Sequence, residues 1–463
     1  MALTAHDENK LTLTSILGLA EEEAETLLSE TILITYDDSN QIASKLTHHL
    51  EKILSRTFAN ITTKLSDEIS CEIVIGNIPE RTQCIHTFVR FGDFGKLVIS
   101  QNKPTKESRV FELHEAFQIV TACYIVAFTM RQFLGSSIKL LPSPAEINID
   151  FEVLFPNMDF LEKQTDIGKV YLAGAGAIGN AFLYTLQTFK LAGQIFVCDA
   201  DKVSDGNLNR CLWFDASEVG NNKAGVLARV AQPQFSKIVL TPHEGTLSSI
   251  PQKAKGGAWL DRLVVAVDSR RARRSLNSEI PHETFDASTT DIQEAFFHFN
   301  KRPLSNLACL ECAYPVDTLE KVHEHHVAEF LGVALSDIEQ LTISSSAATR
   351  ICSKYTQYKP GDLEGQSYDT LFKELCGKGT IISKSESHVL APFAFISVLA
   401  GAILAIEFVQ RISTGIHTYN SFRLSPWSSP VLALRQQIVK NSNCSFCANP
   451  TKLAFSERLW QTK

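Results

Sequence analysis

The spacing of apolar residues changes from helical to strand-like near residue 70. Residues 1 to about 65 carry apolar side chains near helical spacing, which predicts helices over Leu11–Leu28 and Ile42–Ile61. Beyond them, short apolar runs bounded by turn residues predict strands, and one longer apolar run predicts a helix. These segments are Glu72–Gly76, His86–Arg90, Lys96–Ser100 and the helix Phe111–Leu134.

A second alternation of strands and helices begins near Asp166. Four apolar runs predict buried strands, at Val170–Ala173, Gln194–Asp199, Arg262–Asp268 and Glu283–Asp286, and a helix is predicted over Asn180–Phe189. Proline and acidic residues predict a linker over Leu141–Asp159. We therefore expect an α/β protein with two units, residues 1–150 and 151–463, of which the second contains a doubly wound sheet.

Composition narrows the class of protein. The chain has 463 residues, 44% of them hydrophobic, and a net charge of −7, so it has ample apolar material for cores and no basic footprint for nucleic acid. The N-terminus lacks a signal-peptide pattern. The apolar run Ile396–Val409 is too short to span a bilayer and contains Glu407. A soluble, cytoplasmic protein with no membrane partner is expected.

Three glycines follow the first strand of the second unit, at Gly174, Gly176 and Gly179. In a strand–turn–helix unit, the first glycine permits the tight turn and the second lets a phosphate approach the backbone. The third allows close packing of helix on strand. Asp199 lies 20 residues past Gly179, where a carboxylate commonly binds ribose hydroxyls. The pattern predicts a nucleotide site, and the alternative is a glycine-rich turn without a ligand.

Two C-x-x-C pairs stand far apart in the chain. Cys309 and Cys312 form one pair, and Cys444 and Cys447 form the other. Each pair offers two thiolates to one metal ion, and together they complete a tetrahedral site with no open position. A structural Zn²⁺ that ties the C-terminal segment to the domain is therefore predicted. The alternatives are a redox dithiol or ordinary core cysteines.

A further group of motifs lies between the second and third strands of the second unit. Asp199-Ala-Asp201 is followed by Asn207 and Arg210, and then by Gly220-Asn-Asn-Lys223. With the glycine turn, Asp268 and the cysteine pairs, these motifs resemble the superfamily that includes ubiquitin-activating enzymes and bacterial enzymes of thiamin and molybdopterin synthesis. The resemblance covers roughly residues 166–450 and implies a Rossmann-like adenylation domain.

The resemblance implies a reaction and roles for individual residues. The C-terminal carboxylate of a ubiquitin-like protein would attack the α-phosphate of ATP, giving an acyl-adenylate and pyrophosphate. Asp199, with Asp201 nearby, would bind ribose, and Asp268 would hold Mg²⁺. Asn207, Arg210 and Lys223 would contact the triphosphate. Solvated charge is the alternative for Arg210 and Lys223, and a helix N-cap is the alternative for Asp268.

Members of this superfamily differ in whether a cysteine then accepts the acyl group. The segment His388–Gln410 is similar to the late helix of this superfamily. The interval between the first cysteine pair and that helix is long here, about residues 313–386, and contains only Cys352 and Cys376. Cys376 is expected in a glycine-flanked polar loop, where Lys373 and Lys378 would favour a thiolate. Cys352 is expected on a helix. Cys376 is the favoured thioester residue, Cys352 is the second candidate, and the absence of any thioester is a further alternative.

The first unit lacks a phosphate loop. We interpret residues 1–150 as a shortened, inactive adenylation-like domain, with Gly76-Asn-Ile-Pro79 where a nucleotide loop once stood. An unrelated α+β accessory domain is the alternative. Arg56 is a candidate for the arginine that a partner half often contributes in this superfamily.

The expected partners are a ubiquitin-like protein that ends in glycine and a conjugating enzyme. The sequence leaves open whether two chains pair as a homodimer or one chain suffices. Three other functions remain as alternatives. The first is adenylation of a sulfur carrier or peptide C-terminus without a thioester. The second is an NAD-dependent dehydrogenase, which would not explain Arg210, Lys223 or the cysteine pairs. The third, and least favoured, is a non-enzymatic scaffold.

Overall fold

A computed structural model describes residues 3–93, 95–103, 113–135, 138, 140–290, 292–303, 306–316, 318–377, 393–415, 418–430 and 435–461. It contains two separate sheets, one built before residue 151 and one after residue 164. Each sheet is mainly parallel, with helices packed on it. The predicted α/β class is confirmed.

The first sheet has six strands in the order β2-β1-β3-β4-β5-β6. The first four are mutually parallel, and β5 and β6 are antiparallel additions. The strands are β1 (Thr31–Tyr36), β2 (Asn60–Thr62), β3 (Cys71–Ile75), β4 (Ile85–Phe91), β5 (Lys96–Ser100) and β6 (Glu146–Asp150). The accompanying helices are α1 (Ala5–Leu17), α2 (Glu21–Ser29), α3 (Gln41–Leu54), α4 (Glu115–Leu134) and α5 (Phe151–Leu154).

The second sheet has seven strands in the order β13-β12-β11-β10-β7-β8-β9. The five strands from β11 to β9 are parallel, and β12 and β13 are antiparallel. The strands are β7 (Thr165–Ala173), β8 (Leu191–Cys198), β9 (Ile238–His243), β10 (Arg262–Val265), β11 (Glu283–Thr290), β12 (Glu294–Lys301) and β13 (Ser421–Leu424). Helices α6 (Ala177–Leu186), α7 (Lys223–Ala231), α8 (Arg270–Asn277), α9 (Leu310–Ala313), α15 (Ala394–Thr414) and α16 (Pro450–Trp460) accompany them.

The two sheets follow the same path through the chain. In each, the first strand pairs on one side with the next strand, and on the other side with a later parallel strand. In each, two antiparallel strands follow, with a long apolar helix between them, α4 in the first sheet and α15 in the second. Among the described residues, the first sheet differs from the second in having no counterpart of β9. By this correspondence, the counterpart of the glycine turn is the segment Asp37–Asn40 between β1 and α3.

Helices α4 and α15 are the two longest helices of the described chain. Both are apolar and long enough to cross a membrane, but 89% of the most hydrophobic window of each is buried in the protein. Helix α15 packs against α6, α4 and α3, and so joins the two sheets. Gly401 makes its contact with α6 close, because a Cβ there would lie 2.5 Å from the Cβ of Ala181.

A helical insertion separates β12 from α15. It comprises α10 (Thr318–Leu331), α11 (Leu335–Ile338), α12 (Ser345–Lys354), α13 (Pro360–Leu363) and α14 (Tyr368–Gly377). These helices share a small apolar core of their own, built around buried residues such as Val327, Ile351 and Leu371. The insertion therefore has a separate core from the sheet and meets it through polar contacts, described below.

Several predicted elements differ from the structure. The region before residue 65 is not wholly helical, since it supplies β1 and β2. The predicted linker Leu141–Asp159 supplies β6 and α5. Helix α6 begins at Ala177 rather than Asn180. Gly76 follows β3, which corresponds to β10, so it does not stand where a nucleotide loop would. The apolar run from Ile396 belongs to the helix Ala394–Thr414, whose 21 residues are long enough to cross a membrane, so the expectation that it is too short is wrong.

Candidate active site and metal centre

The glycine turn joins β7 to α6 and has a different physical requirement at each glycine. Gly174 has φ +102°, and a Cβ there would lie 2.5 Å from the carbonyl oxygen of Ala266. A Cβ at Gly179 would lie 2.1 Å from the oxygen of Gly174. Gly176 precedes α6, and a Cβ there would meet no atom within 4 Å. The first and third glycines are thus required by the fold, and the second leaves the backbone open.

A cavity of about 1040 Å³ opens in front of this turn. The glycine turn and the carboxyl ends of β8 and β10 line it, as expected for a doubly wound sheet. Helix α1 of the first unit and helices of the insertion close its sides. The cavity lining includes Gly174, Gly176, Asp199, Asp201, Asn207, Arg210, Lys223 and Asp268, and thus brings together all the predicted nucleotide-site residues except Gly179, which packs behind the turn.

Asp199 follows β8 and is tied to the glycine turn. Its Oδ2 accepts a hydrogen bond from the backbone N–H of Ala175 (2.7 Å), and its Oδ1 accepts one from that of Asp201 (2.9 Å). Desolvation raises the pKa of Asp199 to about 6, with repulsion from Asp201 acting in the same direction and the ammonium of Lys223 acting against it. The carboxylate is thus held in place at the edge of the turn.

Lys223 and Asp201 form an ion pair on the floor of the cavity, with 3.3 Å between Nζ and Oδ2. Burial opposes the charge on Lys223, but Asp201 and Asp199 outweigh it and raise its pKa. Asp201 also accepts hydrogen bonds from the Thr370 hydroxyl (2.8 Å) and the Ser367 N–H (3.3 Å). Asp201 lies near Asp199, as predicted, and it also binds the insertion through these two hydrogen bonds.

Asn207 lies in the middle of a short 3-10 helix, Asp205–Asn209, and Arg210 is the residue that follows this helix. Arg210 Nη1 donates to the oxygen of Gly206 (2.9 Å) and to Oδ1 of Asn209 (2.7 Å). Asn207 Oδ1 accepts from the N–H of Ser204 (3.1 Å), which closes the helix N-terminus. The helix positions both side chains at the cavity wall, so the guanidinium is preorganised by neutral acceptors.

Asp268 lies three residues beyond β10, exposed at the cavity. The N-cap of α8 is Ser269, whose Oγ accepts from the N–H of Ala272 (3.1 Å). The alternative of Asp268 as the helix N-cap is therefore wrong. Its negative charge also helps to raise the pKa of both Lys223 and Arg273, so it faces the same charged group of residues.

One buried group at the cavity wall was not predicted. Arg273, on α8, pairs with the carboxylate of Asp286, which also accepts from the hydroxyl of Tyr314 (2.5 Å). Burial opposes the charge of Arg273, and Asp286 outweighs it and raises the arginine pKa. The expectation that Asp286 ends its strand is wrong, because β11 continues to Thr290. The available signal was the arginine run Arg270-Arg-Ala-Arg-Arg274.

Arg56 does not reach the cavity. Its Nη1 and Nη2 donate to the backbone oxygens of Leu208 (2.8 Å) and Leu212 (3.0 Å). It therefore fastens the first unit to the segment that carries Arg210. Among the described residues of the first unit, those that line the cavity include no arginine or lysine.

The two candidate thioester cysteines lie in the insertion. Cys352 is on α12, as predicted, and desolvation raises its thiol pKa. Cys376 is in the last turn of α14 rather than in a loop. Its side chain, and residues 378–392 beyond it, lie outside the described part of the chain.

The four paired cysteines meet in one cluster. Sγ of Cys309 lies 3.7 Å from those of both Cys312 and Cys444, and Cys312 Sγ lies 3.6 Å from that of Cys447. A tetrahedron with Zn–S bonds of about 2.3 Å has S–S edges of about 3.8 Å. All four residues are buried, and their ligand atoms lie within 4.8 Å of one another. The donor set fits a four-thiolate metal site.

Fold and site together define an α/β nucleotide-binding protein with a Cys₄ centre. Residues 151–445 match the ThiF family, and residues 1–154 match the E1 N-terminal domain. The first match covers more than half of the chain, and the protein belongs to the ThiF family. Its fold and the recognised superfamily are thereby confirmed.

Two curated proteins are similar to parts of this chain. The uncharacterized protein y4jF of Sinorhizobium fredii is 28% identical over 281 residues, 57% of this chain and 51% of that protein. The NEDD8-activating enzyme E1 catalytic subunit of Saccharomyces cerevisiae is 24% identical over 26% of this chain and 40% of that protein. The chain thus matches about half or less of the length of these relatives.

Among solved structures, the chain is similar to that of E. coli MccB with MccA-N7isoASN. It has a TM-score of 0.37 and 20% identity over 63% of this chain and 69% of that chain.

Proposed function

We propose that the protein is an ATP-dependent adenylyltransferase that activates the C-terminal glycine of a ubiquitin-like protein. The observation that carries the proposal is the convergence of the glycine turn, a ribose-type carboxylate, two cations and a further carboxylate on one cavity. A dinucleotide site would need the glycine turn and Asp199, but not Arg210, Lys223 and Asp268 together. Membership of the ThiF family supports ATP as the nucleotide.

In this proposal, each group on the cavity wall has one task. The turn at Gly176 admits the phosphates to the backbone N–H groups at the start of α6. Asp199 accepts hydrogen bonds from ribose hydroxyls. Arg210, Lys223 and Asn207 bind the triphosphate and stabilise the charge that develops at the α-phosphate. Asp268 holds Mg²⁺, whose chemistry when bound is to neutralise phosphate charge.

The reaction needs positioning more than it needs a base. The attacking carboxylate is already an anion, so no proton has to be removed from it. It forms a bond to the α-phosphorus, and pyrophosphate leaves. The cations of this chain lower the barrier by binding the negative charge more tightly in the transition state than in the ground state. Burial makes that interaction stronger than it would be in water.

We further propose that Cys376 accepts the acyl group as a thioester. The first turn of α14 contacts the cavity floor through Ser367 and Thr370. Cys376 is six residues beyond Thr370, about 9 Å along a helix axis. In the transfer, the thiol loses its proton, sulfur bonds to the acyl carbon and AMP leaves. Cys352 is less suited, because its thiol pKa is raised and it packs against the core of the insertion.

The first unit would act as an inactive counterpart of the second. The shared strand order, the correspondence of α4 to α15 and the match to the E1 N-terminal domain support this. Helices α3 and α4 of the first unit cover α15 of the second. One chain thus supplies both halves of such a pair, and we propose that catalysis needs no second copy.

A paired assay tests the proposal. Purified protein is given ATP, labelled pyrophosphate and a candidate ubiquitin-like protein that ends in glycine, with the same carrier lacking its last glycine as control. Exchange that depends on the terminal glycine is expected. Absence of exchange with every candidate carrier would refute adenylation of such proteins.

A second assay tests the thioester step. A DTT-sensitive adduct is expected in the wild type and in Cys352→Ala, but not in Cys376→Ala. Exchange without any adduct would leave a sulfur carrier or peptide as the better substrate. An adduct in Cys376→Ala would refute the choice of cysteine.

A further inference from the structure

Arg302 follows β12 directly and is fully buried. Its guanidinium carbon lies 4.3 Å from the centre of the Phe446 ring. In the sequence, Phe446 stands between the metal-site residues Cys444 and Cys447. Its Nη2 donates to Oδ1 of Asn277 (2.8 Å), and its Nη1 donates to Oγ of Ser456 (3.3 Å). All three of these partners are neutral.

The surroundings of Arg302 differ from those of two other deeply buried arginines. Arg273 pairs with Asp286, and Arg411 pairs with Glu407 at 3.0 Å. Within the described residues, Arg302 has no carboxylate as ion-pair partner, and its Nε has no hydrogen-bond partner. A buried charge without a counter-charge strongly destabilises a fold. An anion is therefore expected beside Arg302.

The cysteine cluster is the anion that the structure offers. Phe446, over whose ring the guanidinium of Arg302 lies, packs in one cluster with all four cysteines, so the guanidinium lies next to the metal site. Burial lowers the pKa of Arg302 to about 10. Four thiolates around a divalent metal carry a net charge of −2. Four neutral thiols would carry none and would leave Arg302 uncompensated.

We propose that Arg302 is the internal counter-ion of a four-thiolate zinc site, so that metal binding and the burial of this arginine stabilise each other. Arg302 acts as a positioning residue and does not contact the reacting atoms. Its hydrogen bonds connect the metal centre to the end of α8 through Asn277 and to α16 through Ser456. The charge of the centre thereby holds two helices to the edge of the sheet.

The test compares Arg302→Met with Arg411→Met in the full chain. Arg411 is a matched control, because it is also buried against an aromatic ring, Phe299 at 4.0 Å, but has its own carboxylate. Zinc release to a colorimetric chelator and Tm before and after metal removal are measured. Arg302→Met is expected to release zinc about 10 to 100 times faster than the wild type.

The Tm values give a second readout with a characteristic sign. Arg302→Met should lower the Tm of the zinc-loaded protein, and this deficit should shrink or reverse after chelation, because the unpaired charge is gone. Arg411→Met should lower Tm equally with and without zinc and leave zinc release unchanged. An Arg302→Met protein that releases zinc at the wild-type rate, or loses the same Tm in both states, would overturn the proposal.

A charge-preserving variant covers the case in which Arg302→Met does not fold. Arg302→Lys keeps the positive charge and should release zinc within about threefold of the wild-type rate. Arg302→Gln removes the charge and should release it faster than Arg302→Lys. If the lysine and glutamine variants release zinc at the same rate, the site requires the shape of the side chain rather than its charge. That result would also refute the role of Arg302 as a counter-ion.

Discussion

The hydroxyl of Thr370 donates a hydrogen bond to the carboxylate of Asp201, with 2.8 Å between the oxygens. The same carboxylate pairs with Lys223 at the floor of the cavity. Helix α14 of the insertion is therefore docked onto a charged group that we assign to nucleotide binding. A second docking contact lies alongside, where Arg271 of α8 pairs with Asp369 of α14 (2.9 Å) and Glu324 of α10 (3.2 Å).

Because these contacts are polar, the insertion should loosen when one is removed without unfolding the sheet. Arg271→Ala leaves two part-buried carboxylates without their cation, which costs about 1–3 kcal/mol locally. Hydrogen exchange over residues 318–377 should become faster, while exchange in β7 and β8 stays unchanged. Arg271→Lys should lie between this variant and the wild type. Uniformly faster exchange in both regions would argue against separate docking of the insertion.

Removal of the ammonium of Lys223 should abolish adenylation. Lys223→Met leaves Asp199 and Asp201 without a cation and withdraws one positive charge from the proposed triphosphate site. We expect pyrophosphate exchange to fall by at least about 100-fold, in line with the loss of one preorganised charge at a transition state. Lys237→Met, a change at an exposed lysine that does not line the cavity, serves as control. Exchange near the wild-type rate in Lys223→Met would contradict the assignment.

Nucleotide affinity should depend on pH through Asp199. Its pKa is raised from 3.8 to about 6, so the carboxylate is fully ionised only above that value. ATP affinity is expected to rise between about pH 5 and pH 7 and then level off, as measured by calorimetry. Asp199→Asn should bind weakly with no such rise. A wild-type affinity that is flat over this range would remove Asp199 from ribose binding.

The same shift has the opposite sign for folding. Because the folded protein holds the proton of Asp199 more tightly than the unfolded chain, its contribution favours folding at low pH. That contribution is lost as the pH rises from 3.8 to about 6. In this window, affinity for ATP and the contribution of Asp199 to stability should therefore move in opposite directions. A buried carboxylate whose ionisation costs folding stability but favours ligand binding is typical of a functional site.

The central strands and the glycine turn could be predicted because their signals are local. Val170–Ala173 is an uninterrupted apolar run, and the glycines after it satisfy steric requirements of the turn itself. The strand β1 was missed because Thr31–Tyr36 lies between two helices in a stretch with helical spacing on both sides. Strands β6 and β13 are short and gain their stability from pairing with distant strands, which no local pattern records.

The residues of the candidate site also fall into two groups, those with a local signal in the sequence and those that only the tertiary structure brings together. Asp199 and Asp268 could be placed because each ends a predicted strand, and Lys223 could be placed from the resemblance alone. The partner of Arg273 could not be deduced, because Asp286 is brought to it by the pairing of β10 with β11. The contact of Thr370 with Asp201 joins residues 169 apart, so only the tertiary structure shows it.

Metal removal should free the C-terminal helix. Helix α16 begins three residues after Cys447, and its Trp460 is buried, with its ring stacked on His282 at 4.8 Å and its Nε1 donating to the oxygen of Ile280 (3.0 Å). Chelation, or Cys444→Ser, should expose this indole and shift its fluorescence to longer wavelength. Trp460→Phe should abolish the shift, and Cys84→Ser, a cysteine outside the cluster, should not produce it. An unchanged spectrum after zinc loss would contradict the role of the cluster in holding α16.

Two alanine substitutions in the glycine turn should separate folding from binding. In Gly179→Ala, the new Cβ would lie 2.1 Å from the carbonyl oxygen of Gly174, a backbone atom that cannot move without displacing α6 from β7. We expect a loss of about 2–4 kcal/mol in the free energy of unfolding, measured by urea denaturation, as for severe overpacking.

In Gly176→Ala, the new Cβ meets no atom within 4 Å and the backbone has φ −75°, so stability should be unchanged. The methyl group instead occupies the space in which a phosphate would approach the N–H groups at the start of α6. Nucleotide affinity should therefore fall about tenfold or more while the urea midpoint stays at the wild-type value, since a displaced phosphate loses charge-assisted hydrogen bonds. Because the two variants differ only in which side of the turn receives the methyl group, unchanged ATP binding in Gly176→Ala would mean that the phosphates do not lie against this turn, whatever Gly179→Ala does to the fold.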